Sequence, residues 1–207
     1  MAFPIVITAI TCYLLGNLNG AVCVSALLKD DVRSHGSGNA GLTNFIRNYG
    51  TGKALLVVAI DVGKAVIACL AAQFILDRHL DTVTARTIGG IAVMVGHDFP
   101  ALLGFRGGKG ILSGWFIAWM VDWRVGLMIF IVFASAYALS GYVSLGSVLA
   151  AVTFAVGFVL LHGDAPIVMA GGIFMSLLTI WMHRENIRRL VSGNERKTNL
   201  FKKGSME

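Results

Sequence analysis

Long apolar runs separated by short polar breaks set the pattern of the chain from end to end. The runs cover residues 3–28, 54–76, 84–101, 108–121, 125–140, 143–161 and 166–182. A helix needs about 20 predominantly apolar residues to cross a bilayer, so the pattern predicts seven transmembrane helices in an all-α integral membrane protein, organised as a single domain over residues 1–207. Residues Met1 to Pro4 carry no basic cluster of the kind that opens a signal peptide, so the first run is expected to stay as a span.

Three runs contain something other than grease. Gly16-Asn17-Leu18-Asn19-Gly20 places a GxxxG spacing and two amides inside the first run, a pattern that predicts close helix packing with interhelical hydrogen bonds. Asp61 and Lys64 lie three residues apart in the second run and so share a helix face. Ions at such positions pair with each other or face a wet interior, and both readings stay open. Ile111–Val121 supplies only 11 apolar residues, roughly 16 Å of helix at 1.5 Å per residue. A full crossing there requires Gly107-Gly108-Lys109-Gly110 to dip into the membrane, which broken backbone does only where it lines a cavity.

The polar breaks hold the candidate chemistry. Gly36-Ser37-Gly38-Asn39-Ala40-Gly41-Leu42-Thr43-Asn44 is rich in glycine and neutral hydrogen-bonding groups, with Arg33 before it and Arg47 after it. Uncovered amides beside guanidinium groups suit an anion, above all a phosphate. Gly36, Gly38 and Gly41 match the dinucleotide fingerprint in spacing, yet an apolar span precedes them instead of a strand. Gly104 to Gly110 falls short of a P-loop, because Gly110 stands where Ser or Thr is required. The physics shared by both motifs remains, and Lys109 is the expected point charge on a phosphate.

Composition and charge then narrow the class. The chain is 56% hydrophobic and 14% charged, with mean hydropathy +0.75, against about 25% charge in soluble domains. Thirteen of the seventeen Lys and Arg fall in breaks on one side of the predicted membrane, three fall on the other, and Lys64 lies within a span. By the positive-inside rule the thirteen are cytoplasmic, which puts the N-terminus outside and the C-terminus inside. The polar motifs thereby converge on the cytoplasmic face. A net charge of +6 here predicts orientation and an acidic substrate, not nucleic acid. Cys12, Cys23 and Cys69 sit in apolar runs without metal-ligand spacing and are expected to be small buried residues. No His-x4-Asp dyad, Gly-x-Ser-x-Gly elbow or His/Cys cluster suited to zinc occurs, and no metal or cofactor is expected. His35, His97, Asp98, His183 and Glu195 are the candidate general bases on that face.

Three ordered segments together resemble one family. Asp31 to Arg47, then Gly96-His97-Asp98-Phe99-Pro100 with Phe105-Arg106-Gly107-Gly108-Lys109-Gly110, then His183-Arg184-Glu185-Asn186-Ile187-Arg188-Arg189-Leu190 with Gly193, Glu195 and Lys197, look like the motifs of the bacterial acyl-phosphate-dependent glycerol-3-phosphate acyltransferases. Ala40, Leu42 and Arg106 depart from that family's usual residues while keeping the polar groups. The resemblance implies transfer of a fatty acyl group from acyl phosphate to the 1-hydroxyl of sn-glycerol 3-phosphate, giving lysophosphatidic acid and phosphate. It implies a bacterial plasma membrane location, a cytoplasmic site embedded among membrane lipid, and room for transient contact with the soluble enzyme that makes acyl phosphate. On this reading Lys109, His97 and Asn186 are catalytic, with the hydroxyl proton taken either by His97 or by the substrate's own phosphate. Ser37, Gly38, Asn39, Thr43, Asn44, Arg47, Gly107, Gly108, Gly110, Ser144, His183 and Arg189 bind substrate and phosphate. The reading from another class is a phosphate-ester or lipid-phosphate transporter or flippase, since broken helices and intramembrane charges suit transporters as well.

Overall fold

A computed structural model describes Ala2 to Thr198; the basic residues Lys202 and Lys203 of the predicted cytoplasmic tail lie outside the described residues. Ten helices follow one another among these residues: α1 Ala2–Gly16, α2 Gly20–Leu27, α3 Leu42–Tyr49, α4 Thr51–Leu76, α5 Thr82–Asp98, α6 Ile111–Val121, α7 Trp123–Ser140, α8 Val143–His162, α9 Pro166–Met182 and α10 Arg184–Val191. Helices α4, α7 and α8 are each long and apolar enough to cross a membrane. Counting the bent pairs α1–α2 and α9–α10 as one crossing each gives five. Helix α6 is apolar but has 11 residues, as the run predicts.

The first predicted span is not one continuous helix. It breaks at Asn17-Leu18-Asn19, and the two parts meet at 41°. Hydropathy does not register the reason: Asn19 caps α2 by accepting from Val22 N–H at 3.0 Å, and its amide donates to the Ala40 carbonyl at 3.0 Å. Asn17 accepts from Leu102 N–H at 3.0 Å. The expected close packing is present around the break. A Cβ on Gly16 would stand 2.3 Å from the Val93 carbonyl of α5, and one on Gly20 would stand 2.6 Å from the Val57 carbonyl of α4.

Lys64 and Asp61 close this break from α4. The ammonium lies 2.8 Å from Asp61 Oδ1, 2.7 Å from the Leu18 carbonyl and 2.6 Å from His97 Nδ1. Asp61 Oδ1 also accepts from Gly20 N–H at 3.1 Å. Both side chains are buried, the pair joins α1, α2, α4 and α5, and Asp61 also borders the cavity described below.

The apolar core gathers α1, α4, α5, α6, α7, α8 and α9 around Val93, Met94, Ile117, Phe154, Phe158 and Met175. Helices α7 and α8 pack together, as do α8 with α9, α1 with α5 and α4 with α5. A smaller cluster of Ala21, Val24, Val32, Phe45, Ala54 and Val57 seats α3 against α2 and α4. The three cysteines are free.

Candidate active site

One cavity of about 300 Å³ collects residues from all three sequence motifs. Its polar wall includes Ser37, Asn39, Thr43, Arg47, Lys109, Ser144, His183, Asn186, Arg189 and Glu195, and its apolar wall includes Ile111, Leu112, Trp115, Ile129, Phe130 and Phe133.

Four helix N-termini meet at the polar wall. Helices α3, α6, α8 and α10 begin after Gly41, Gly110, Tyr142 and His183, and none of these residues makes a side-chain capping bond. The first residues of each helix line the cavity: Leu42 and Thr43, Ile111 and Leu112, Val143 and Ser144, and Asn186. By contrast, Asp81 and Asp122 cap α5 and α7 with their carboxylates. Amides left open at a helix start carry partial positive charge and receive anions. This convergence is invisible to motif reading, because the four starts are scattered from Leu42 to Arg184 in the chain.

A chain of ionic hydrogen bonds crosses the cavity. Lys109 donates to Asn186 Oδ1, Asn186 Nδ2 donates to Glu195 Oε1 at 3.1 Å, and Arg189 Nε donates to Glu195 Oε2 at 2.7 Å. The amide orientation of Asn186 is dictated by its neighbours, since an ammonium only donates and a carboxylate only accepts. Burial pushes the Glu195 pKa up, but the hydrogen bonds from Arg189 and Asn186 and the Arg189 charge outweigh it and hold the group below the usual carboxylate range. Glu195 therefore stands ionised. It belongs to the third motif and to the candidate bases, yet nothing in the motif's spacing announces its place between Asn186 and Arg189.

His183 is buried, and its Nδ1–H donates to the Thr179 carbonyl at 2.8 Å. Burial first, then the neighbouring Lys109 charge, brings its pKa down to about 4. The ring is neutral and its lone pair lies on Nε2. The Ser144 hydroxyl is buried in the same wall beside Glu195, and it adds to the groups that hold that carboxylate ionised.

Several predicted ligands have other tasks. Asn44 lines the cavity, but its Nδ2 donates to the carbonyls of Val32, His35 and Asn39 and its Oδ1 accepts from Ser37 N–H at 3.0 Å. Both ends of the amide are committed to shaping the loop, so Asn44 positions Ser37 and Asn39 and leaves no polar atom for an anion. Gly38 is absent from the cavity wall and takes φ +69, a turn conformation open to glycine. Gly107 and Gly108 are also absent from the wall. They are small because His97 presses on them: a Cβ on Gly107 would lie 2.0 Å from the His97 carbonyl and one on Gly108 2.1 Å from His97 Nε2. The Gly108 amide is used as well, donating to the His97 carbonyl at 3.1 Å. Gly110 does reach the wall, as do His97 and Asp61. Among the described residues no group of three or more His, Cys, Asp and Glu is placed to hold a metal ion.

An all-helical body of apolar helices whose uncapped helix starts and cations converge beside an apolar wall is the arrangement that suits a membrane protein for amphiphilic anions. The profile of the glycerol-3-phosphate acyltransferase family matches residues 6–193, and the chain belongs to that family. The glycerol-3-phosphate acyltransferase of Thermoanaerobacter pseudethanolicus is 39% identical over 193 residues, covering 93% of this chain and 94% of that protein. The Clostridioides difficile enzyme of the same name is 36% identical over 197 residues, covering 94% and 96%. The crystal structure of PlsY (YgiH), an integral membrane glycerol 3-phosphate acyltransferase, in its glycerol 3-phosphate form superposes with a TM-score of 0.85 at 31% identity, covering 96% of this chain and 99% of that one. Its lysophosphatidic acid form gives a TM-score of 0.81 at 32% identity.

Proposed function

We propose that this chain transfers a fatty acyl group from acyl phosphate to the 1-hydroxyl of sn-glycerol 3-phosphate, releasing lysophosphatidic acid and inorganic phosphate. The observation that carries this reading is the two-faced cavity: open helix starts with Lys109, Arg47 and Arg189 on one wall, and Trp115, Phe130 and Phe133 on the other. Such a cavity suits two phosphates and one hydrocarbon chain at once. Relatives named for glycerol 3-phosphate, and a related structure in its lysophosphatidic acid form, support the acceptor and the product. On this reading seven crossings form one domain in the bacterial plasma membrane, and the thirteen-to-three bias of Lys and Arg puts the cavity on the cytoplasmic side.

The reaction needs alignment more than a protein nucleophile. Acyl phosphate already carries a good leaving group, and holding the alcohol against the carbonyl turns a bimolecular step into an effectively unimolecular one. The hydroxyl oxygen forms a bond to the acyl carbon, the carbon–oxygen bond to phosphate breaks, and phosphate leaves with the electron pair. Lys109, the amides that open α6, and Asn186 hold charge on one phosphate. Arg47, Ser37, Asn39 and the start of α3 hold the other anion or the glycerol hydroxyls, while Thr43, Ser144, His183 and Arg189 complete the wall. Glu195 keeps Asn186 and Arg189 in register.

The hydroxyl proton goes to a phosphate oxygen. His97 is set aside as the base by its bond to Lys64. The three ammonium hydrogens have three acceptors within 2.8 Å, one of them His97 Nδ1, so the His97 proton sits on Nε2 and that nitrogen can only donate. His183 has a lone pair on Nε2, but burial and the Lys109 charge bring its pKa down to about 4, below the second pKa of a phosphate monoester near 6. Against the transporter reading, Lys64 and Asp61 hydrogen-bond backbone groups freed at the helix break, and residues 16–20 do not line the cavity.

The test is phosphate release from palmitoyl phosphate by the detergent-solubilised protein, with and without glycerol 3-phosphate, beside Lys109→Ala and with palmitoyl-CoA as a second donor. Release is expected to require both substrates, to yield lysophosphatidic acid and to fall at least 100-fold in the variant, the scale of losing a preorganised charge-stabilising donor. Equal rates with palmitoyl-CoA would remove the assignment of the donor. Binding of glycerol 3-phosphate without turnover would return the transporter reading.

A further inference from the structure

Thr198 lies five residues beyond the stretch that the family profile matches, and no motif reading reaches it. Its hydroxyl oxygen accepts from Arg47 Nε at 2.9 Å and also from Arg47 Nη2. Nη2 donates in addition to the Arg196 carbonyl at 3.1 Å. Of the guanidinium nitrogens, Nη1 alone makes no hydrogen bond among the described residues, and the side chain that carries it lines the cavity.

Thr198 is itself held from two sides. Its N–H donates to the Gly141 carbonyl at 3.2 Å, and its own carbonyl accepts from the Tyr137 hydroxyl at 2.8 Å. Gly141 closes α7, and Lys197 stacks over the Tyr142 ring 5.4 Å from its centre. The residue is buried. A fixed oxygen anchored to the α7–α8 turn thus grips the end of a long side chain that rises from α3.

We propose that Thr198 is a positioning residue that fixes the Arg47 guanidinium and so leaves its Nη1 edge for the anion in the cavity. This rests on the reading of Arg47 as an anion ligand and deepens it. Arg loses rotamer freedom when it binds an anion, and a side chain that is already locked gives up less on binding. The hydroxyl oxygen is the operative atom, because an oxygen with two lone pairs takes both N–H groups. Serine keeps that oxygen and valine does not.

The experiment is steady-state kinetics on the full-length protein for Arg47→Gln, Thr198→Val, Thr198→Ser and the Arg47→Gln/Thr198→Val double variant, with KM taken for both substrates and Tm recorded alongside. Arg47→Gln is expected to raise KM for one anionic substrate more than tenfold. Thr198→Val is expected to raise KM for that same substrate about five- to tenfold with kcat within about twofold, less than the loss of a whole hydrogen bond to a charged group because the Arg47 guanidinium itself remains. Thr198→Ser should restore KM, and the double variant should be no worse than Arg47→Gln. A Thr198→Val protein with unchanged KM, or with a rise confined to the other substrate or adding to the Arg47→Gln effect, overturns the proposal and identifies a tail staple. If the valine variant does not fold, Thr198→Ala is read in the same way. Unchanged KM values in Arg47→Gln would instead overturn the role of Arg47 itself.

Discussion

Lys64 donates to Nδ1 of His97 across 2.6 Å, and this contact joins the break between α1 and α2 to the wall of the anion cavity. The ammonium that satisfies the Leu18 carbonyl also decides which nitrogen of His97 carries the proton. Lys64→Met should therefore leave Asp61 buried without its partner and destabilise the fold by about 3–5 kcal/mol. Asp61→Asn/Lys64→Met should recover part of that loss, read as unfolding temperature in detergent. His97→Gln should retain turnover within about tenfold, whereas loss of a general base lowers rates about 10²–10⁴-fold.

The acid limb of the pH profile separates the enzyme from its substrate. His183 is held near pKa 4 by burial and by Lys109, while the exposed imidazole of the unfolded chain titrates near 6.5. A depressed pKa means that its contribution to stability is complete above pH 6.5 and is lost as the pH falls towards 4, so unfolding temperature should decline across that window. The limb of kcat/KM should lie near the second pKa of the substrate phosphate, about 6. A phosphonate analogue of glycerol 3-phosphate, with its higher second pKa, should move the limb upward. A limb that stays put would assign the proton to a protein side chain.

Trp115 lines the apolar end of the cavity with Phe130 and Phe133. Its Nε1–H donates to the Gly126 carbonyl at 2.9 Å, and its ring stacks on Phe130 with centroids 5.4 Å apart. The indole is thereby pinned between α6 and α7. Trp115→Ala should widen that end and raise the ratio of kcat/KM for long over short acyl phosphates about tenfold, within the range that one or two methylenes give in an apolar pocket. Trp115→Phe should change the ratio less. The check is competition between acyl phosphates of two chain lengths.

Much of the fold was legible because apolar runs and helices share boundaries: α4, α7, α8 and α9 begin and end within a few residues of their runs. The break at Asn17-Leu18-Asn19 was not legible, because a hydropathy average absorbs two amides while the Asn19 cap acts through single atoms. At the site, Lys109, Arg47, Asn186 and His183 were named from residue type and motif, and all four reach one cavity. Asn44 has its amide committed to its own loop, and Gly107 and Gly108 lie off the cavity wall, distinctions that residue type cannot make because loop-shaping and ligand-binding use the same residues. The bond from Arg47 to Thr198 spans 151 positions, and no local pattern encodes a partner that far away. The meeting of four helix starts belongs to the packed bundle and has no counterpart in the linear chain.

The cavity draws on Ser37 near one end of the chain and on Glu195 near the other. During biosynthesis the membrane helices therefore accumulate before any enzyme exists. At about 5–20 residues per second, the stretch from Ser144 to Glu195 alone takes seconds to emerge. A chain cut short at the end of α9 keeps nine of the ten helices but lacks His183, Asn186, Arg189 and Glu195 together. Premature termination would leave a set of membrane helices without the complete cavity.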